Sequence, residues 1–137
     1  MTDGRVTSPR TAQIAAEFAE RLDMLEEAGQ VTPLARRLTE FTVAELADEL
    51  DVAFTEDNAA PFVTHLAVAL TRLNRGEPGI EPSSVVDDEI RGRLRERDAV
   101  QRVMTECEKL LDRQIPDSEV AYMTVHLCAI ADEEGTR

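Results

Sequence analysis

The 137-residue chain has no tryptophan, one tyrosine and four phenylalanines, and its 15 lysines and arginines are outnumbered by 28 aspartates and glutamates. The formal net charge is −13 at pH 7. Neutralising a phosphate backbone needs a basic surface and holding single strands needs aromatic platforms, so the composition speaks against direct contact with DNA or RNA. The expected partner is a protein or a small molecule. No apolar run approaches the length of a membrane span, and Met1-Thr2-Asp3-Gly4-Arg5 lacks the apolar stretch of a secretory signal. A cytoplasmic protein with no membrane contact is the expectation. Cysteine is sparse as well. Cys107 and Cys128 have no CxxC spacing and sit inside apolar helical patterns, which reads as two core thiols, not a disulfide framework or a metal site. Strand alternation and GxGxxG-type loops are absent too, which leaves an all-α class.

What is present is helical periodicity in a chain long enough for one domain, with 42% apolar residues to furnish a core. Residues 1–10 carry Gly4, Ser8 and Pro9 among polar neighbours and are expected to form a mobile leader. Residues 11–30 form an N-terminal helical unit: Ile14, Phe18, Leu22 and Leu25 recur at helical spacing from Thr11 to Ala28, and Gly29 stops the helix. Pro33 suits a first helical turn. The stripe Leu34, Leu38, Phe41 then changes phase to Leu46 and Leu50, and Thr42-Val43-Ala44-Glu45 has the form of a capping box. One bent helix buried on two sides is preferred to a break near Thr42.

The stretch Asn58–Gly76 reads as an amphipathic helix, and a start near Asn58 keeps Pro61 out of an interior turn. Phe62, Leu66, Ala69, Leu70 and Leu73 share one apolar sector, with His65 and Arg72 on its flank about 10 Å apart along the axis. Gly76, Pro78, Gly79 and Pro82 enforce a loop, Ser84–Ile90 forms a short helix, and Gly92 interrupts. Asp98 is a candidate cap for the next helix, whose stripe is Val100, Val103, Met104, Cys107, Leu110 and Leu111. Asp117–Ala131 forms the last helix, and residues 132–137 form an acidic tail that frays. In that last helix Val120, Met123, Leu127, Ile130 and Ala131 face the core. His126 lies off centre with Glu119 seven residues before it, on the same side. The architecture expected is a compact antiparallel bundle of five or six helices.

Two segments carry a resemblance. Phe62-Val63-Thr64-His65-Leu66, continuing to Arg72-Leu73-Asn74-Arg75-Gly76-Glu77, and Ile115-Pro116-Asp117-Ser118-Glu119-Val120-Ala121-Tyr122-Met123-Thr124-Val125-His126-Leu127 resemble the two histidine motifs of the PRD family. These are the phosphotransferase-system regulation domains of bacterial transcriptional antiterminators and activators. The resemblance covers roughly residues 31–131. It implies a five-helix bundle, a homodimer, and histidines phosphorylated by a phosphocarrier protein of the sugar phosphotransferase system. Carried over by motif, His65 and His126 are the phosphoacceptors, Arg72 matches the arginine ending the first motif and Glu119 the acidic residue of the second. Thr64 departs from the pattern, standing where an acidic residue often precedes the first histidine. The resemblance also implies a stand-alone, non-enzymatic module, without cofactor or metal, that influences transcription only through another protein.

A neutral imidazole nitrogen is nucleophilic near pH 7, and an arginine can hold the added phosphoryl group whereas a glutamate opposes it. Arg72 on the flank of His65, and Glu119 beneath His126, therefore favour His65 as acceptor. Three other readings are weaker. A metal-binding bundle needs Glu-x-x-His pairs, and neither histidine has a glutamate three residues before it. A cysteine hydrolase fails because Cys128 points away from His126 on the same helix. A helical dimerisation adaptor without phosphorylation differs only in whether the histidines matter. The charge argument carries one expected outcome: at low salt, where backbone attraction is strongest, a gel-shift titration with duplex DNA or an RNA hairpin gives no complex, and tight salt-sensitive binding contradicts it.

Overall fold

Phe18 marks the first departure from simple periodicity. Its backbone turns to φ −106°, ψ 14°, and splits the expected N-terminal helix into α1 (Pro9–Glu17) and α2 (Ala19–Glu27). The amide of Phe18 still donates to the Ile14 carbonyl, and its own carbonyl still accepts from Leu22, so the chain bends without unwinding. Ile14, Phe18 and Leu22 all stay buried through the bend. The computed structural model describes residues 8–135, with side chains to residue 133. Residues 1–7 of the expected leader lie outside that range. Ser8 caps α1 by accepting from the Thr11 amide, and Pro9 occupies the first turn, so the end of the expected leader is helical.

Among the described residues there are seven helices and no strand, one helix more than expected because of the bend at Phe18. The others are α3 (Pro33–Leu50), α4 (Glu56–Asn74), α5 (Ser84–Glu89), α6 (Leu94–Leu111) and α7 (Asp117–Gly135). The short connectors 51–55 and 112–116 fold α3 against α4 and α6 against α7 as antiparallel pairs. α3 joins the two pairs by packing on α6, α4 packs on α7, and α1 covers α3. No described helix is long and apolar enough to cross a membrane.

α3 is a single helix through Thr42, buried on two sides as its change of phase implied: Phe41, Thr42, Val43, Ala44, Leu46 and Ala47 are all buried. The Thr42 hydroxyl makes no cap. It meets Cys107 Sγ of α6 at 3.4 Å instead. Both cysteines are buried and unlinked, and burial pushes each thiol up to about 11, as suits core residues.

α4 starts two residues before the expected Asn58. Thr55 is the N-cap, and it exchanges bonds with Asn58 in a full capping box. Pro61 thus lies inside the helix. Its ring is exposed, as is Asp57, whose carbonyl loses its helical donor, so water can serve that group. The first turn is also tied to the N-terminal helices, since Arg21 grips the Glu56 carboxylate (2.9 Å) and the Glu56 amide donates to Glu17 (2.9 Å). At the other end Thr32, the N-cap of α3, donates its amide to Thr71 Oγ1 (3.1 Å) and its hydroxyl to Asn74 Oδ1 (2.9 Å).

α6 begins at Leu94, not at the Asp98 candidate cap, and α7 stays helical to Gly135 through most of the expected acidic tail. One ion pair accounts for both differences. Arg93 precedes α6 and binds Asp132 of α7 (2.8 Å) as well as Glu96, which anchors the start of one helix to the end of the other.

α3 and α6 end on aspartates in the left-handed region, Asp51 at φ 54° and Asp112 at φ 53°. Aspartate tolerates that region better than most residues, but glycine enters it without steric cost. A carboxylate at a helix C-terminus also opposes the helix dipole. Asp112 is exposed. Asp112→Gly is therefore expected to stabilise the fold by about 0.5–1 kcal/mol, read as a higher urea midpoint at unchanged m-value. A lower midpoint would show that Asp112 holds its turn through a contact that glycine loses.

Candidate functional site

His65 sits in the middle of α4 and His126 in the middle of α7, each on the flank of its helix and each partly exposed. Because α4 and α7 pack together, the two rings stack with centroids 5.7 Å apart and planes 20° from parallel. Tyr122, one turn before His126, lies 4.4 Å from the His65 ring and 5.0 Å from the His126 ring. Phe62 approaches His126 from α4 at 6.3 Å. Thr64, next to His65, points instead toward α2, where its hydroxyl accepts from Arg21 (3.1 Å).

Glu119 is the polar centre of the cluster. It is 3% exposed, in the first turn of α7. Oε1 meets His65 Nε2 at 3.2 Å and Oε2 accepts from the Ile80 amide at 2.9 Å. Burial pushes this carboxyl up, but the bonds from His65 and Ile80, with the charges of His65 and Arg72, outweigh it and leave the group below the ordinary 4.5. Glu119 is thus ionised near neutrality. An ionised carboxylate only accepts, so His65 donates from Nε2–H, and in the neutral ring the free lone pair is on Nδ1.

This corrects one step of the sequence reading. Along α7 alone Glu119 lies on the side of His126, yet the carboxylate engages His65 of the facing helix. His126 is held by ring packing against Phe62, His65 and Tyr122. Burial, and secondarily the charge of His65, lowers its pKa below the ordinary 6.5, so its ring is neutral near pH 7. Arg72 is exposed on the last turn of α4, and its charge reaches the cluster through Glu119. Of the expected quartet, His65, His126 and Glu119 are brought together, and Arg72 acts on them through its charge alone. Sequence reasoning missed Tyr122, whose spacing of four residues from His126 puts the two on one face, and Ile80, for which no motif gave a signal. Among the described residues no group of three or more His, Cys, Asp or Glu side chains is arranged to hold a metal ion.

The class the structure defines is an all-helical domain that presents a stacked histidine pair beside a buried carboxylate. The chain belongs to the PRD domain family: the family model described as PRD domain matches residues 40–129, about two-thirds of the sequence, and spans both histidines. PRD domains are helical regulatory modules. No curated protein and no solved structure matches the chain.

The two shifted groups make stability pH-dependent in two windows of the same sign. His126 has a depressed folded pKa, so the unfolded chain binds more protons between the two values; the stability from its neutral ring is full above the ordinary 6.5 and is lost as pH falls toward the folded value. Glu119 contributes fully above 4.5 and loses its contribution as pH falls through its own lower value. Thermal melts from about pH 7.5 down to 5.5 are expected to show a falling Tm that His126→Gln flattens, while both proteins lose stability together at lower pH. Parallel curves above pH 5.5 would remove His126 as the first titrating group.

Proposed function

We propose that this chain is a PRD-type regulatory module whose histidine pair accepts a phosphoryl group from a phosphocarrier protein of the phosphotransferase system. It then acts on transcription through protein partners, as a cytoplasmic homodimer. The observation that carries this reading is the stacked, partly exposed pair of His65 and His126 within the PRD match. In the transfer step a neutral imidazole nitrogen attacks phosphorus, a new P–N bond forms, and the bond from phosphorus to the donor breaks with its electrons returning to the donor. The product adds about 1.5 to 2 negative charges to a site already holding a buried carboxylate.

The geometry supports His126 over His65 as the main acceptor, the reverse of the order drawn from sequence. The Nε2 of His65 is engaged by Glu119, which leaves only Nδ1 to accept, on a ring already held against a buried carboxylate. His126 is neutral, partly exposed and packed against the rings of Phe62, His65 and Tyr122. Arg72 is exposed, and its positive charge acts on Glu119 of the same cluster. Incubation with phosphoenolpyruvate, the first phosphotransferase enzyme and a phosphocarrier protein is expected to give an acid-labile, base-stable adduct. His126→Ala should remove most of the label, His65→Ala should retain most of it, and the double variant should have none. Absence of label in the native protein, with donors from its own source, would make it a helical interaction module whose histidines serve packing alone.

A further inference from the structure

Ile80 lies in the loop between α4 and α5, far in sequence from α7, yet both of its backbone polar groups are held by adjacent side chains of that helix. Its amide donates to Glu119 Oε2 at 2.9 Å and its carbonyl accepts from Ser118 Oγ at 2.6 Å. The preceding residue is pressed against the same turn. A Cβ on Gly79 would stand 3.0 Å from Pro116 Cγ and 3.2 Å from Glu119 Cγ, so a side chain here would have to push these neighbours back by a few tenths of an ångström. Elsewhere in residues 77–90 only Ile90, just after α5, is buried. α5 is six residues long with no buried residue, and α7 is its main packing partner. Between this unit and α7 lies a pocket of about 460 Å³, lined on one side by Ile80, Ser83 and Val86 and on the other by Ser118, Ala121 and Tyr122.

The carboxylate that holds Ile80 is the one that holds His65 (3.2 Å). Its two oxygens thus link the charge state of the histidine pair to the docking of the loop. A dianionic group on either ring would lie within one ring stack of Glu119. It would repel the carboxylate across the short distance that separates them. The Ile80 amide would then lose a charge-assisted bond in a segment with few apolar contacts, where local opening is easiest.

We infer that Glu119 and Ser118 form a latch on Ile80, and that negative charge at the histidine pair releases residues 77–90 from α7 and opens the pocket beneath them. The inference rests on the proposed phosphoacceptor role for its natural trigger, but the latch itself is a property of the unmodified protein. It sets apart the one element pair that moves, loop plus α5, from the α3–α4 and α6–α7 pairs that stay packed.

Amide hydrogen exchange tests it on the full chain. In unmodified protein, Ser118→Ala and Glu119→Ala are expected to speed exchange across residues 77–90 by about tenfold or more, while amides of α3 keep their native protection. His65→Glu supplies negative charge without a donor protein and is expected to have the same local effect, so the latch is decided whether or not a phosphocarrier labels the chain. Where labelling succeeds, the phosphorylated protein should show the same pattern. Native protection of 77–90 in Ser118→Ala and Glu119→Ala overturns the latch. Native protection in His65→Glu overturns its control by the histidines. Equal loosening of 77–90 and α3 in every variant also overturns it, because the contact would then be part of the general core.

Discussion

A carboxylate with 3% exposure survives ionised only if its oxygens find donors, and Glu119 finds them on two different segments. One donor is His65 of α4 and the other is the Ile80 amide of the following loop. The constraint reaches outward from there. α4 and α7 must cross so that His65 faces the first turn of α7, which also stacks His65 on His126 and Tyr122. The loop must come close enough for Ile80 to reach Oε2, an approach that Gly79 eases because a Cβ there would press on Pro116 and Glu119. Removing the carboxylate would leave the Ile80 amide without its partner, at a cost of about 1–3 kcal/mol if it stayed buried.

Most of the bundle was legible as apolar periodicity. α3 was read as one helix although its stripe changes phase, because a helix wedged between α1, α4 and α6 needs more than one apolar face. The misjudged boundaries have a common origin in contacts between residues distant in sequence. Arg93 and Asp132 are 39 positions apart, and neither the early start of α6 nor the persistence of α7 leaves a local signal. The bend at Phe18 escaped for another reason. It keeps Ile14, Phe18 and Leu22 pointing inward, so the period runs through it unbroken. At Pro61 the local rule was sound, but an exposed ring and a well-capped first turn let the helix carry it.

The site was legible in its members and illegible in its pairing. A helical wheel places His65 and His126 on flanks, and their partial exposure agrees. The wheel relates residues of a single helix, however, so it assigned Glu119 to His126. The true partner is set by the crossing of α4 over α7. Tyr122 could have been read from its spacing to His126. The engagement of Ile80 could not, since a backbone amide carries no residue-specific signature.

The wider electrostatics explain why added charge would act at Glu119 and not across the molecule. The chain carries −13 overall, but its charges are mostly exposed, and some of them form pairs such as Arg10 with Asp48, Arg21 with Glu56 and Arg102 with Glu49. Half-exposed pairs of this kind contribute only about 0–1 kcal/mol each and are screened over about 8 Å at physiological salt. A phosphoryl group on the histidine pair would barely be felt by them. Glu119 differs because it is buried, ionised and in contact with one of the two rings, where screening is weak and no solvent can replace a lost donor. The single buried carboxylate among the described residues is therefore the group most sensitive to a change of charge, and it sits where a helix, a loop and the histidine pair meet.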